Sequence, residues 1–174
     1  KRSPATKMPD NSVRVRVALI QHLFVAAREY GLPCQVMLAG SGLKPGQLQD
    51  PQAELPIFHV ERMLQTGLAV SHDPLLGLKL AQYANLDAFG VLGSLLRVCR
   101  TIQDAVDKLL HYGPLLGIFG KVWGWHKPGQ LLIGFEFNTD TGQDQRHITE
   151  YMMLALARCL SAQRVDQSET LLHG

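Results

Sequence analysis

The sequence lacks a disulfide framework, an excess of charge of either sign, and any long apolar run. Its three cysteines, Cys34, Cys99 and Cys159, are far apart and set among apolar neighbours. That placement excludes a Cys-x-x-Cys pair and suits reduced core thiols, so a cytoplasmic protein is expected. Lys and Arg total 17 against 15 Asp and Glu, a net charge of +2, too balanced to mark a nucleic-acid surface or a membrane-binding face. No apolar stretch approaches the ~18 residues of a membrane span, and nothing of signal-peptide type follows the polar start KRSPATKMPDNS, so no membrane partner is expected. The chain begins without an initiator Met, as an excised piece of something longer would.

Catalytic and metal signatures are also missing. Among seven histidines there is no His-Glu-x-x-His, and His147 with Glu150 is the only helical pair at ligand-like spacing, so neither a metal nor a cofactor is expected. There is no Gly-x-Ser-x-Gly elbow, and LAGSGLKPG (38–46) lacks the Gly-Lys-Ser/Thr ending of a phosphate loop. No compact helix-turn-helix with a basic recognition helix can be drawn.

What is present is a globular composition, 46% hydrophobic and 18% charged over 174 residues, sufficient for one domain with a real core. Residues 1–12 read as a disordered lead. VRVRV alternates like a strand, but Val13, Val17, Ile20, Phe24 and Ala27 continue at spacings of three and four, which predicts a helix capped by Ser12 and closed at Gly31. Pro33 opens a second helix and Pro56 a third, while Asp73-Pro74 caps a fourth running through PLLGLKLAQYA. Asp87 caps a fifth, carrying Gly90 and Gly93, and Thr101 with Asp104 caps a sixth.

After Gly117 the period changes to two. If Pro128 and Gly129 form the turn, Lys121 pairs with Glu136, Val122 with Phe135, Trp123 with Gly134 and Trp125 with Leu132; a longer loop with a shifted register is the alternative, since a Pro-Gly turn favours type II, which splays strands. Val122, Ile133, Phe135 and Phe137 then share one face and both tryptophans the other. The last helix is expected from Gln143 to Arg164, with residues 165–174 as a linker. The fold class is α+β: about seven helices and one small antiparallel sheet around residues 117–138.

Residues 73–117, DPLLGLKLAQYANLDAFGVLGSLLRVCRTIQDAVDKLLHYGPLLG, carry Asp-x-x-x-Gly-Leu, then Phe-Gly-x-x-Gly, then a Thr-x-x-x-Ala helix ending in an aromatic and a short apolar run. Asp73, Gly77, Leu78, Phe89, Gly90, Gly93, Thr101, Ala105, Tyr112, Leu115 and Leu116 match a pattern that resembles the regulatory N-terminal domain of AraC/XylS-type transcriptional regulators. The likeness extends over roughly residues 13–164. It implies an effector-sensing or dimerising domain, not an enzyme, that works ahead of a DNA-binding module of paired helix-turn-helix units absent from this chain. It does not imply a sugar.

With that resemblance the partners expected are an unidentified small-molecule effector, a second copy of the chain through an apolar face of the last helix, and DNA only through the missing module. The effector is expected between the helix of Phe89, Gly90 and Gly93 and the hairpin, where the glycines leave room. Tyr112, Trp123, Trp125 and Phe135 would be walls, and His147 and Tyr151 would orient the ligand. Two alternatives stay open: a module that senses a protein partner, and a small-molecule enzyme.

Overall fold

The chain enters as a strand. The computed structural model describes residues 13–112, 120–127, 130–137 and 145–170. Within them Arg14–Arg16 forms β1, antiparallel to β2, Glu54–Pro56, with Arg14 opposite Pro56 and Val15 opposite Leu55. The alternation in VRVRV therefore prevails over the helical spacing: Val13 and Val15 are buried, Arg14 is exposed, and Arg14 Nη2 donates to the Glu54 carbonyl at 2.6 Å. Ser12, the expected cap, lies outside the described residues. Its expected role falls to backbone, because the Val17 and Ala18 N–H groups donate to the carbonyls of Ala53 and Pro51 at 2.9 and 3.0 Å and so satisfy two orphan donors of the helix start.

Helix α1, Val17–Glu29, buries Val17, Leu19, Ile20, Leu23, Ala26 and Ala27. It ends as the sequence indicates, with Gly31 at φ +91° and the Leu32 N–H reaching back to Ala27. Helix α2, Cys34–Ser41, closes on Gly42 in the left-handed region. Pro56 belongs to β2, and α3, Phe58–Ser71, starts two residues later than Pro56 suggests.

The expected long fourth helix is broken. Helix α4 spans only Leu76–Leu80, then gives way to a 3-10 turn at Ala81–Tyr83. A second 3-10 turn, Leu86–Phe89, is capped by the Asn85 side chain, and α5, Gly90–Arg97, follows. Asp87 is inside that turn and pairs with Arg97 at 2.6 Å instead of capping α5. Thr101 does cap α6, Ile102–Tyr112, accepting from the Asp104 N–H at 3.0 Å.

Strands β3, Gly120–Lys127, and β4, Gln130–Phe137, pair in the register read from the sequence: Lys121 with Glu136, Val122 with Phe135, Trp123 with Gly134, Trp125 with Leu132. The Pro128-Gly129 turn lies outside the described residues. Helix α7, Arg146–Thr170, closes the domain; its expected start at Gln143 also lies outside them, and the helix runs past the expected end at Arg164 into the residues expected as a linker. The fold is α+β and mostly helical, with seven α-helices and two two-stranded antiparallel sheets among the described residues instead of one sheet.

One contiguous core joins α1, α3, α4, α5, α6 and α7. Ile20, Leu23, Met63, Leu76, Leu80, Leu92, Leu96, Leu109 and Tyr151 are wholly inside it, and each such aliphatic side chain contributes about 1.5–3 kcal/mol by burial. No helix among the described residues is long and apolar enough to cross a membrane.

Candidate functional site

The residues singled out from the sequence fall in three places. Phe89 is in the core at the end of its 3-10 turn, next to Gly90, whose φ of +56° and ψ of −128° suit glycine alone. Gly93 is placed differently, because a Cβ there would collide with the backbone carbonyl of Leu86. Both glycines thus serve the junction between the Leu86–Phe89 turn and α5. The close neighbour of the glycine helix is that turn, not the hairpin.

The hairpin leans on α6. A Cβ at Gly124 would lie 3.3 Å from the Leu110 methyls, and Ile133 packs on the core. On the outer face the Trp123 ring covers Gly134 and is 44% exposed, beside an exposed Leu132. Tyr112 is exposed at the end of α6, edge-on to His111. The side chains of Trp125 and Phe135 lie outside the described residues.

His147 and Tyr151 come together with α4. At this seam α4 crosses the first turns of α7 so closely that a Cβ at Gly77 would meet the His147 carbonyl. Leu76 and Leu80 are buried on the α4 side, and Ile148, Tyr151, Met152 and Ala155 on the α7 side. Into this apolar surrounding one turn of α7 places His147, Glu150 and Tyr151, which share a face by their i, i+3, i+4 spacing. His147 Nδ1 is 3.6 Å from Glu150 Oε2, too long for a hydrogen bond, while Glu150 Oε1 accepts from Arg146 Nε at 2.6 Å. Tyr151 is wholly buried, and burial, with Cys159 adding to it, pushes its phenol well above the ordinary range.

Beside this face lies an open groove of about 560 Å³, lined by Leu78 from α4 and by Arg146, Thr149, Glu150, Met153 and Leu154 from α7. Its volume is within the range of small-molecule sites, and apolar walls with a few polar groups are their usual chemistry. The sequence reading missed Leu78, Arg146, Thr149, Glu150, Met153 and Leu154 as lining. Glu150 carries a signal in the sequence, its three-residue spacing from His147. Among the described residues no three His, Cys, Asp or Glu side chains are grouped to hold a metal ion.

Two other polar groups have structural explanations. The Asp73 carboxylate takes Lys79 Nζ at 2.5 Å, the Tyr30 hydroxyl, and the Leu75 N–H, with the ammonium 5.7 Å above the Tyr30 ring. The bond from Lys79, then that from Tyr30, then the backbone bond hold its carboxyl at about 2. This tie fastens the end of α1 to the approach of α4. Cys99 is 3.6 Å from Lys108, but burial first and Asp104 second push its thiol up, the opposite of an activated nucleophile.

Comparison with known proteins gives two findings. A family model described as the arabinose-binding domain of AraC transcription regulators, N-terminal, matches residues 31–169. The ornithine utilization regulator of Pseudomonas aeruginosa is 26% identical over 149 residues, which cover 86% of this chain and 40% of that protein. The chain therefore spans well under half the length of this curated relative.

Proposed function

Because the chain belongs to the N-terminal, arabinose-binding-domain family of AraC transcription regulators, we propose that it is the effector-sensing and dimerising domain of such a regulator. Residues 13–164 are the sensor, with residues 1–12 as a lead and 165–174 leading toward a DNA-binding module. The observation that carries the reading is the coincidence, within the matched residues, of an apolar groove and a buried polar face on the same turns of α7. Of the residues expected from the sequence, His147 and Tyr151 then belong to the effector site. Phe89, Gly90 and Gly93 hold the shape of the core behind it, and Tyr112 and Trp123 belong to a separate, outer surface.

The effector is a small molecule, and α7 is the element through which its binding reaches the rest of the regulator. The second partner is another copy of the chain, paired in a closed two-fold dimer. The reading is of a sensor and not a catalyst, working in the cytoplasm, in keeping with the free thiols of Cys34, Cys99 and Cys159. Regulation of ornithine use by the relative makes amino acids and amines the first compounds to try.

Native mass spectrometry and thermal unfolding of the chain with a metabolite panel test this. A compound at a hundredfold over its Kd raises stability by about 2.7 kcal/mol, and the bound mass should appear on a dimer. The chain alone should give no salt-resistant, sequence-dependent DNA shift. Absence of any bound compound together with a monomer at high concentration overturns the reading.

A further inference from the structure

Three buried side-chain polar atoms among the described residues have no hydrogen-bond partner, and all three are on one turn of α7: His147 Nδ1, Glu150 Oε2 and Tyr151 Oη. Buried polar atoms are paired in the great majority of cases, and an unpaired carboxylate oxygen is the most unfavourable kind to leave. Three such atoms in five residues describe a place where donors are wanted. The His147 side chain is 91% buried and Tyr151 wholly so, while Glu150 retains 20% exposure on the groove side. Its other oxygen, Oε1, accepts from Arg146, which lines the groove with Glu150, so one carboxylate carries both the unmet acceptor and the groove contact.

The chemistry of the atoms narrows the ligand. An ionised carboxylate accepts only, a phenol can accept or donate, and imidazole Nδ1 does either according to tautomer. What is missing is therefore a donor, and a carboxylate favours one that carries positive charge. A primary ammonium brings three N–H donors. Beyond Glu150 the groove offers Leu78, Met153 and Leu154, which suit a short aliphatic chain, together with Thr149 and with Arg146, whose guanidinium is already held on Glu150 Oε1. A carboxylate in the same position would be repelled by Glu150.

We propose that the α4–α7 groove binds a small primary amine, its ammonium on the Glu150 carboxylate with His147 and Tyr151 beside it, and its aliphatic stem along Leu78, Met153 and Leu154. The assignment rests on the effector-sensing reading and names the class of effector.

Calorimetric and amide-NMR titration of the chain with n-butylamine tests it, with n-butyrate and n-butanol as matched stems of other charge and L-arabinose as a polyol. Saturable n-butylamine binding is expected, with amide shifts in 146–154 and around Leu78, and at least about tenfold weaker binding in Glu150→Gln, the loss of one charge-assisted bond. Leu78→Phe, which narrows the groove without altering charge, should weaken binding too, and decides the matter if Glu150→Gln does not fold. Equal binding of n-butyrate, or amine affinity unchanged in the folded variants, overturns the assignment. Binding of L-arabinose or n-butyrate without n-butylamine overturns the amine but leaves the sensing reading intact. If none of the four binds, the amine site is refuted, and the metabolite panel separately decides whether the domain senses anything.

Discussion

At the α4–α7 seam a glycine brings two backbones together and leaves polar atoms buried without partners, whereas in the β3–β4 hairpin a glycine gives the Trp123 ring a surface to cover and leaves the ring half in water. Both regions join a glycine to conspicuous side chains, and the sequence draws attention to the hairpin because tryptophan is large and rare in it. The difference lies in what faces each glycine. Gly77 faces a carbonyl fixed by the α7 hydrogen-bond ladder, which cannot retreat without disrupting a helix. Gly134 faces the end of an exposed side chain, which can swing away.

The largest expected effect breaks or confirms that contrast directly. Gly77→Ala should lower stability by about 1–3 kcal/mol or more, the range for forcing atoms into a packed interior, whereas Gly134→Ala should change it by less than about 1 kcal/mol, since alanine suits a strand better and the ring can move. Denaturant midpoints at constant m-value give both numbers. Equal losses would show that Trp123 is as firmly fixed as the His147 backbone.

A second test sharpens the seam by its dependence on pH. Asp73 has its folded carboxyl at about 2, below the ordinary 3.8, held there by Lys79, Tyr30 and the Leu75 N–H. A depressed folded value means that the stabilisation is complete above the ordinary value and disappears as pH falls toward 2. The stability gap between the wild type and Asp73→Asn should therefore be widest near neutrality and close through that window. A gap that persists at the acid end would mean that the tie holds α4 by shape and not by charge.

The smallest effects are expected from the side chains themselves. Trp123→Ala removes a ring that is nearly half exposed, and should cost about 1 kcal/mol or less while leaving n-butylamine binding unchanged. Tyr151→Phe deletes a hydroxyl with no partner, so the free protein should be unaffected or gain up to about 1 kcal/mol. A clear loss on thermal unfolding would reveal a partner for that hydroxyl.

Several elements were legible because their causes are local. The Gly31 helix end, the Thr101 cap and the β3–β4 register follow from turn residues and period-two alternation within short spans. The family too was legible, from residues 73–117. The start of the chain was not, because a three-residue strand depends on a partner some forty residues away, and the residues just ahead of β2, Pro51 and Ala53, supply the acceptors that start α1. The neighbour of Gly93 was misplaced for the same reason: Gly-x-x-Gly announces a close approach without saying of what. Of the candidate site, His147 and Tyr151 were seen as polar residues on one helix side, but Glu150 and the apolar lining were not.

By itself the sequence determined the balance of helix and strand, the hairpin register, a few helix ends such as those at Gly31 and Thr101, and membership in a family of regulatory domains. Those properties follow from side-chain periodicity and turn chemistry, which act over a few residues. Only the tertiary structure decided what each glycine faces, that the Trp123 ring is left partly in water, and that one turn of α7 holds three buried atoms without partners beside an apolar groove. Whether a polar atom is satisfied depends on what distant elements bring within about 3 Å of it, and no local pattern carries that information.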